Sequence, residues 1–599
     1  MMSWPRLRTL IAEVKLVGGS SLKTIPIIFA LMSISVILEL TGVVLIAPFV
    51  GLLMGNSLSM LPKSLLEFLG PDPLKTVGIL IVVIFFTKAV STLILQGTIT
   101  RMSESIRGNV MIRLLDAYQH RPYRIHLEQP SSELINRLVW YTNAFANGFV
   151  GASLRFLSDA LVLLVISVTI AIANPRAMLL LGLVLFFVFS FVQLYVKDKL
   201  ARATSIQARM TSEVIHSGTQ ALAGLREVRI LGCEDYFLAR LSNACKGLVE
   251  GSRQQTVLTM IPRQSIEFTM VSFIVVLVFL SRYFDTSDPN LLPFLGLMGA
   301  AAIRLMPAST SLLTSFNQVR SNRFAVAALA RDLSQRGDSA VSSTLAGLIT
   351  AKAPQASRPR EKFTQLEAID VSFAYSATSP QVILHQNFVI KAGETVGLVG
   401  NSGAGKSTLA DILLGFLEPT GGEILINGCS LKSGGAAAMA SWQSMVAYIP
   451  QQSYLTDDTL RRNVALGVAD ADIDDAAVFK ALEDAQLGSM LRQLPKGLDT
   501  ELGERGVRFS GGQRQRVSIA RALYHDREFL VLDEATSALD VETEREIVET
   551  IRALSGRKTI LLIAHRETTL AVCSRLLRLG PQQSAPLEIP EANQKAAAP

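Results

Sequence analysis

The chain has 599 residues, of which 49% are apolar, and its mean hydropathy is +0.36. This is too apolar for an ordinary soluble protein, and because the apolar excess lies before residue 320, membrane spans are predicted there. The formal net charge of +7 fits basic loops beside a membrane, and since no run of five basic residues occurs, nucleic-acid binding is not predicted.

Six apolar stretches are each long enough for a helix across the bilayer core, which takes about 20 residues. The first is interpreted as a retained span, because its apolar part is too long for a signal peptide and no small-residue cleavage site follows it. The connections at 97–150 and 197–263 are long and rich in Arg and Lys, whereas the others are short and carry few basic residues. The amino terminus, both long connections and the carboxyl-terminal region are therefore predicted to be cytoplasmic. The spans are placed near residues 24–54, 75–96, 152–173, 177–196, 265–282 and 291–315.

Both long polar connections have apolar residues at three- and four-residue spacing and few helix breakers. They are predicted to be helical extensions of the membrane spans. Each is interrupted once, by a turn at 121–130 in the first and at 224–232 in the second.

Composition divides the chain into four segments. Residues 1–335 are the predicted membrane domain, and 336–362, rich in Ser, Ala, Pro and basic residues, are a predicted linker. A soluble α/β domain is predicted at 363–580. The tail at 581–599, rich in Pro, Gln, Ala and Glu, is predicted to be disordered.

The soluble domain contains a glycine-rich loop between the apolar strand 395–399 and a predicted helix, which is where a phosphate-binding loop belongs. Glycines allow backbone amides to close around phosphates, and the start of the helix favours negative charge. Lys406 is predicted to reach the β- and γ-phosphates, and Ser407 to ligate Mg²⁺. The predicted phosphate-binding residues are Gly400, Asn401, Ser402, Gly403, Ala404, Gly405, Lys406, Ser407 and Thr408.

A second apolar strand at 529–532 ends in two carboxylates, Asp533 and Glu534. Phosphoryl transfer depends mainly on positioning and charge neutralisation. Asp533 is therefore predicted to hold Mg²⁺, and Glu534 to be the general base that positions the attacking water. A helix that opens with Ser510, Gly511, Gly512 and Gln513 offers a further anion site at its backbone amides.

These three motifs, in this order, resemble the nucleotide-binding domain of ATP-binding-cassette (ABC) proteins. The resemblance covers residues 363–580, and the family usually has leucine where Phe509 stands. It implies that the turn at 510–513 completes the ATP site of a second subunit, so that two copies form a head-to-tail homodimer with ATP and Mg²⁺ in two shared sites. The turns at 121–130 and 224–232 would be the coupling helices that dock on the nucleotide domain.

Further roles follow from the same resemblance. Tyr375 would stack on adenine, and Gln451 would sense Mg²⁺ and the membrane domain. Asp540 belongs to the D-loop, and His565 would contact the γ-phosphate. The run at 500–506 resembles a loop found in exporters and not in importers. The expected fold is an α-helical six-span membrane domain of the exporter type (type IV), followed by an α/β P-loop NTPase domain.

The membrane half supplies the hypothesis about cargo. Ionisable residues inside spans are costly and usually functional. Lys88, Arg263 and Arg304 lie in or at predicted spans and could line a path for an anionic headgroup. The alternative is internal ion pairing, for example of Glu39 or Glu267 with a neighbouring cation.

Short runs around Glu39, Arg263 and Arg304 resemble the PglK-type ABC flippases, which move lipid-linked oligosaccharide diphosphates. The resulting prediction is an ATP-driven half-transporter in a bacterial inner membrane that moves an amphipathic, anionic, polyprenyl-diphosphate-linked saccharide outward. A multidrug, lipid or peptide exporter of the same fold remains an alternative. An ATP-gated channel or regulator is disfavoured by Glu534 and the intact 510–513 turn, and a soluble DNA-acting ATPase is excluded by the spans.

Overall fold

The computed structural model describes residues 4–19, 25–53, 72–173, 175–283, 291–334, 362–376, 378–401, 403–503, 506–533, 541–564 and 566–579. The chain divides into two compact units. The first, called the helical unit, contains Met1–Arg121 and Gln129–Ile349. The second, called the α/β unit, contains Pro122–Glu128 and Thr350–Pro599.

The amino-terminal half of the chain is built from long helices joined by short turns. Two π-helical turns, Arg137–Tyr141 and Ala144–Gly151, precede the third membrane span. The helices of this half are α1 (Trp4–Gly18), α2 (Ile25–Leu53), α3 (Pro73–Gln119), α4 (Tyr123–Glu128), α5 (Ser131–Asn136), α6 (Ala152–Ala173), α7 (Pro175–Ala223), α8 (Leu225–Leu231), α9 (Glu234–Tyr283), α10 (Leu291–Ser321) and α11 (Arg323–Ser334).

Four helical segments in the described part of the chain are long and apolar enough to cross a membrane: Ile25–Ile46, Leu74–Gln119, Glu133–Ile172 and Met178–Ala223. They overlap the first four predicted spans. The fifth and sixth predicted spans fall in α9 and α10, which are helical, but many of their side chains lie outside the described residues.

The helices α3, α7 and α9 have 47, 49 and 50 residues. At 1.5 Å per residue each is roughly 70–75 Å long, more than twice the ~30 Å bilayer core. Each helix therefore continues well past the membrane, as the spacing of apolar residues in the polar connections predicts.

Long helices of the helical unit pack along one another in pairs. Some pairs are neighbours in sequence, and others are distant. The long helix α7 lies along α9, α2 lies along α3, and α6 lies along α10. A buried apolar cluster that includes Ile99, Leu114 and Phe145 holds α3 against the π-helical turns. The outer surfaces of α3 and α7 expose large apolar side chains such as Phe86 and Leu194, as expected of surfaces that contact lipid.

The α/β unit contains two sheets. An antiparallel sheet has the order β2-β1-β4-β5, and a parallel sheet has the order β6-β7-β8-β3-β9. The strands are β1 (Gln365–Phe373), β2 (Ile383–Lys391), β3 (Thr395–Val399), β4 (Gly421–Ile426), β5 (Cys429–Ser430), β6 (Val446–Ile449), β7 (Phe529–Asp533), β8 (Thr559–Ile563) and β9 (Arg575–Arg578). The helices of this half are α12 (Lys406–Leu413), α13 (Gly435–Met445), α14 (Leu460–Val464), α15 (Asp475–Asp484), α16 (Gly488–Gln493), α17 (Gly511–Tyr524), α18 (Val541–Leu554) and α19 (Glu567–Leu570).

Every residue of β7 and β8 is buried, because the parallel sheet is covered on both faces. Successive side chains of a strand point to opposite faces, so β7 contributes to two apolar clusters. Leu530 and Leu532 belong to one cluster, and Phe529 and Val531 belong to the other. This burial fixes the position of the strand end that carries Asp533.

The short helix α4 belongs to the α/β unit, although it lies between helices of the helical unit in sequence. The ring of Tyr123 lies 5.2 Å from the ring of Phe416, centroid to centroid. This is the first of the two segments that the ABC resemblance identifies as coupling helices.

Candidate nucleotide site and membrane charges

One edge of the parallel sheet collects the residues predicted to handle the nucleotide. The strands β3, β6, β7 and β8 run parallel, so their carboxyl ends meet at the same edge. There β3 leads into Gly400, β6 leads into the segment that contains Gln451, and β7 ends at Asp533. The topology therefore brings together motifs that are far apart in sequence.

The phosphate loop has a backbone that requires glycine. Gly403 and Gly405 have φ angles of +80° and +92°. A Cβ added at Gly405 would lie 2.8 Å from Ile383 Cδ1, and one added at Gly400 would lie 2.9 Å from the Leu579 carbonyl oxygen. Because an L side chain would be strained or would clash, the loop keeps the open backbone that a phosphate group needs.

Lys406 is buried at the start of α12, and its Nζ donates hydrogen bonds to the carbonyl oxygens of Gly400 (2.9 Å) and Asn401 (3.1 Å). The ammonium group thus lies against the same loop whose amides are predicted to hold phosphate. Ser407 follows it in the first turn with an exposed side chain. The backbone of this loop and the ammonium group of Lys406 together fit the phosphate chain of a nucleotide.

Tyr375 lies beside this loop. Its hydroxyl is 3.0 Å from Thr408 Oγ1, and its ring packs edge-on against Phe373 at 5.1 Å. Tyr375 is 38% exposed, so the surrounding side chains do not seal it from a ligand. This is the environment expected of an aromatic ring that stacks on a base, and the stacking itself remains a prediction.

Asp533 is buried at the end of β7 and is held by a neighbouring strand. The hydroxyl of Tyr448 donates to Asp533 Oδ2 at 3.1 Å. Burial, together with the charge of Asp533, raises the pKa of Tyr448, and the same two effects raise the pKa of Asp411 to about 6. The oxygen atoms of Asp533, Ser407 and Gln451 are the kind of ligand that Mg²⁺ prefers, so this set fits the predicted metal.

Tyr448 and Asp411 are absent from the predicted site residues. A signal for Asp411 is its position four residues after Ser407, because residues at that spacing share one face of a helix. Tyr448 occupies a strand position three residues before Gln451, and nothing in its local sequence distinguishes it from a packing residue. Only the pairing of β6 with β7 places it beside Asp533.

The turn at 510–513 is a capping box. Ser510 Oγ accepts from the Gln513 backbone N–H at 3.2 Å, and Gln513 Oε1 accepts from the Ser510 N–H at 2.9 Å. These bonds fix the start of α17 and leave the exposed Ser510 at its tip. Phe509 is buried in an apolar cluster, so phenylalanine fills a core position where the family usually has leucine.

Several predicted site residues lie outside the described residues: Ser402, Glu534, Asp540, His565 and the side chain of Arg304. Glu544 on α18 connects the segment that follows Asp540 with the segment that follows His565. Its carboxylate pairs with Arg566 and accepts from the hydroxyls of Thr568 at 2.5 Å and Thr569 at 3.1 Å. The helix that follows Asp540 is therefore fastened to the residues that follow His565.

Lys88 was predicted to line a substrate path, but the structure places it in an ion pair with Glu39 on α2. The two side chains are only 13% and 7% exposed, and the Lys88 Nζ also lies 5.8 Å from the centre of the Phe85 ring. This arrangement favours internal ion pairing over the predicted lining role for Lys88. Arg263 is exposed on α9, next to the buried Pro262.

The fold and the site together define a membrane-bound P-loop ATPase. The family model of the ABC transporter transmembrane region matches residues 26–295, and the ABC transporter model matches residues 384–537. Together the two matches cover more than two thirds of the chain. The chain belongs to the ABC transporter family, with a transmembrane domain followed by a nucleotide-binding domain, and it is an integral membrane protein that couples ATP hydrolysis to transport.

Curated relatives extend over both domains. Proteins named ATP-dependent lipid A-core flippase are 28% identical over 80% of this chain and 78% of the relative in Cupriavidus pinatubonensis, and 28% identical over 88% and 85% in Nitrosococcus oceani. Over 36% of both chains, the protein of that name from Alcanivorax borkumensis is 45% identical. A solved bacterial Atm1-family ABC exporter with ATP bound superposes with a TM-score of 0.69 over 92% of this chain and 94% of its own, at 22% identity. The fold is therefore that of an ABC exporter.

Proposed function

We propose that this ABC exporter acts as a homodimer that uses hydrolysis of MgATP to move an anionic saccharide lipid from the cytoplasmic to the outer leaflet of a bacterial inner membrane. The observation that carries this proposal is the similarity, across both domains, to bacterial proteins named as lipid flippases. The four apolar helical segments and the glycine-dependent phosphate loop support it, because they supply the membrane path and the ATP site that such an activity requires.

In the ATP site, each residue has one proposed task. Lys406 neutralises the β- and γ-phosphates, and Ser407, Gln451 and Asp533 would hold Mg²⁺. Glu534 accepts the proton of the attacking water. Mg²⁺ supplies charge neutralisation during phosphoryl transfer, and the protein supplies position. The hydrogen bond from Tyr448 keeps the Asp533 carboxylate in a fixed orientation.

The remaining tasks concern binding of the nucleotide and communication between subunits. Tyr375 stacks on adenine, and His565 contacts the γ-phosphate. Ser510 and Gln513 present the start of α17 to the nucleotide held by the second subunit. The exposed position of Ser510 at the helix tip supports this role.

An exposed apolar surface on the helical unit further supports a homodimer. The helix α8 exposes Ile230 and Leu231 by 85% and 75% at the turn between the long helices α7 and α9. Adjacent apolar side chains exposed outside the membrane mark an interaction surface. We infer that α8 docks on the nucleotide-binding domain of the second copy, where it acts as that domain's coupling helix.

The cargo proposed first is a polyprenyl-diphosphate-linked saccharide. Lipid A-core is the second candidate, because the relatives carry it in their names. An amphipathic lipid with a charged headgroup fits an ATP-driven pathway, because transferring a charge through the bilayer core is costly.

The test is ATP hydrolysis by the purified protein in nanodiscs, titrated with a polyprenyl-diphosphate saccharide, lipid A-core, the uncharged polyprenol and a panel of cationic drugs. Stimulation by either anionic saccharide lipid, and not by the polyprenol, supports the proposal and decides between the two cargoes. Stimulation by the drugs alone would replace it with a multidrug exporter.

A further inference from the structure

A cavity of about 390 Å³ lies within the helical unit. Its walls come from the π-helical turn at Arg137–Tyr141, from the middle of α7 and from the junction of α10 with α11. This volume is at the lower end of the range for small-molecule sites and suits a headgroup rather than a whole lipid.

One wall of the cavity is aromatic. The rings of Trp140 and Phe324 stack at 5.8 Å, and Tyr141 meets Phe324 edge-on at 5.2 Å. Trp140 and Phe324 remain 38% and 41% exposed, so this apolar surface is not sealed by the packing of the helices. Aromatic clusters with a polar edge are suited to ligands that are apolar at one end and polar at the other.

Two cations face this wall. Lys197 on α7 and Arg320 on α10 line the cavity, and the residues described for its lining include no carboxylate. Within the part of the chain that the structure describes, neither cation has an ion pair or a side-chain hydrogen bond. This differs from Lys88, whose charge is matched by Glu39. Two uncompensated positive charges beside one concave surface favour an anion.

The depth of the cavity follows from the sequence of α7. Its apolar stretch ends at residue 196, and Lys197 is the first charge that follows. The basic segment that begins there is predicted to be cytoplasmic. Lys197 is therefore expected at the level of the lipid headgroups of the cytoplasmic leaflet, and the cavity continues from there along α7 to Ser212 on the cytoplasmic side.

We propose that this cavity is the entry site for the cargo: Lys197 and Arg320 bind its phosphate groups, and the wall of Trp140 and Phe324 packs against the carbon atoms next to the phosphate. The inference rests on the proposed transport of an anionic lipid and adds the residues that receive it. The charge pair would select phosphate esters over neutral lipids before transport begins.

Fluorescence of Trp140 offers a direct binding assay with the full-length protein in phosphatidylcholine nanodiscs. Trp442 is fully buried, and a Trp4→Phe background removes the third tryptophan. Farnesyl diphosphate should change the emission saturably, and Trp140→Phe should abolish the change. Farnesol and inorganic pyrophosphate should bind at least tenfold more weakly, since each keeps only half of the recognised chemistry.

The charge-removal variant is Lys197→Gln/Arg320→Gln, with Lys199→Gln as the matched control. Lys199 lies on the same helix, stacks on Tyr195 at 3.7 Å and does not line the cavity. The double variant should weaken farnesyl diphosphate at least tenfold, because each charge-assisted hydrogen bond contributes on the order of a tenfold change in affinity. Lys199→Gln should bind like the unmodified protein. The charge-conserving Lys197→Arg/Arg320→Lys variant should retain binding, which separates loss of charge from loss of folding.

Four results would contradict the proposed entry site. The first is unchanged affinity in the double variant, and the second is equal weakening by Lys199→Gln, which would indicate a diffuse surface effect. The third is a Trp140 already shielded from acrylamide before any ligand is added, which would mean that a second copy covers the cavity. If pyrophosphate alone binds as tightly as farnesyl diphosphate, the site takes free phosphate compounds and not the lipid.

Stimulation of ATP hydrolysis separates this inference from the proposed function. If a polyprenyl-diphosphate saccharide stimulates the unmodified protein and the double variant equally, the entry site is wrong and the function stands. If farnesyl diphosphate binds at Trp140 but no saccharide lipid stimulates hydrolysis or is moved, the site stands and the proposed function fails.

Discussion

The α/β unit and the helical unit use their charged residues in different ways. In the α/β unit, Lys406 and Asp533 lie where a helix begins or a strand ends, at a sheet edge that the backbone determines. In the helical unit, Lys88 is neutralised by a residue of another helix, and the cations of the cavity come from two helices far apart in sequence. The role of a charged residue in the α/β unit therefore follows from its local sequence motif. In the helical unit, that role depends on which helices pack together.

The most severe expected effect concerns the base at the strand end. Glu534→Gln should lower ATP turnover by roughly 10²–10⁴-fold while ATP still binds, because a neutral amide cannot accept the proton of the attacking water. Phosphate release and nucleotide binding, measured on the same preparation, check this. The control is Glu542→Gln, an exposed carboxylate in the first turn of α18. Turnover that survives in Glu534→Gln would remove the assigned base.

The second prediction tests the helical side of the comparison. Glu39→Gln leaves the Lys88 charge poorly compensated in a buried place and should destabilise the protein by about 3–5 kcal/mol. The double change Glu39→Leu/Lys88→Met should be milder than Glu39→Gln alone, because it removes both charges. Thermal unfolding in nanodiscs measures both.

A role for Lys88 in transport would give a different pattern. Lys88→Met would then abolish stimulation of ATP hydrolysis by saccharide lipid while thermal stability stayed unchanged. That result would show that Lys88 contributes to the substrate path. It would also weaken the difference between the two units in how they use charged residues.

The third prediction concerns the residue that orients Asp533. Tyr448→Phe removes one hydrogen bond to a buried carboxylate, a loss of about 1.5–3 kcal/mol. The Mg²⁺ concentration that gives half-maximal ATP hydrolysis should rise by on the order of tenfold, and the protein should still fold, with its free energy of unfolding lowered by no more than this amount. Tyr454→Phe, an exposed tyrosine of the same unit, is the control. An unchanged Mg²⁺ requirement would mean that Asp533 needs no such support.

The smallest effect is expected at Glu544. Burial raises the pKa of this carboxyl, but hydrogen bonds from Thr568, Arg566 and Thr569 outweigh it and leave the pKa below its usual value. A carboxyl with a lowered pKa stabilises the fold above its unfolded pKa of about 4.3, and this stabilisation is lost as the pH falls through the folded pKa. Glu544→Gln should therefore lower the unfolding temperature at pH 7, and the difference should close below about pH 4.

The matched control for Glu544 is Glu549→Gln, an exposed carboxylate on the same helix. It should leave the unfolding temperature unchanged at every pH. A difference between Glu544→Gln and the unmodified protein that persists at low pH would show that packing, and not the charge, accounts for the effect.

The sequence predicts the fold class correctly, because apolar strands and apolar helices encode backbone geometry locally, and the glycine-rich loop lies between β3 and α12 as its spacing predicts. It does not identify Tyr448 or Asp411, since only the pairing of β6 with β7 and the position of α12 bring them to Asp533. It leaves two roles open for Lys88, in a substrate path or in an ion pair with a carboxylate such as Glu39, and only the packing of α2 with α3 shows the pair.

The sequence does not indicate Lys197 and Arg320 as site residues, for a related reason. Each follows the end of an apolar stretch, where the positive-inside bias already accounts for a basic residue. Their shared cavity with Trp140 depends on tertiary packing, which the pattern of one helix does not contain.

The most direct test of the proposed transport is movement of a fluorescent polyprenyl-diphosphate saccharide in proteoliposomes, comparing the unmodified protein with Glu534→Gln. We expect ATP to drive the labelled lipid from the ATP-facing leaflet to the opposite one in the unmodified protein, and no ATP-dependent movement in the variant. Equal movement in both proteins, or vigorous ATP hydrolysis without movement of this lipid or of lipid A-core, would contradict the claim that this exporter is an ATP-driven saccharide-lipid flippase.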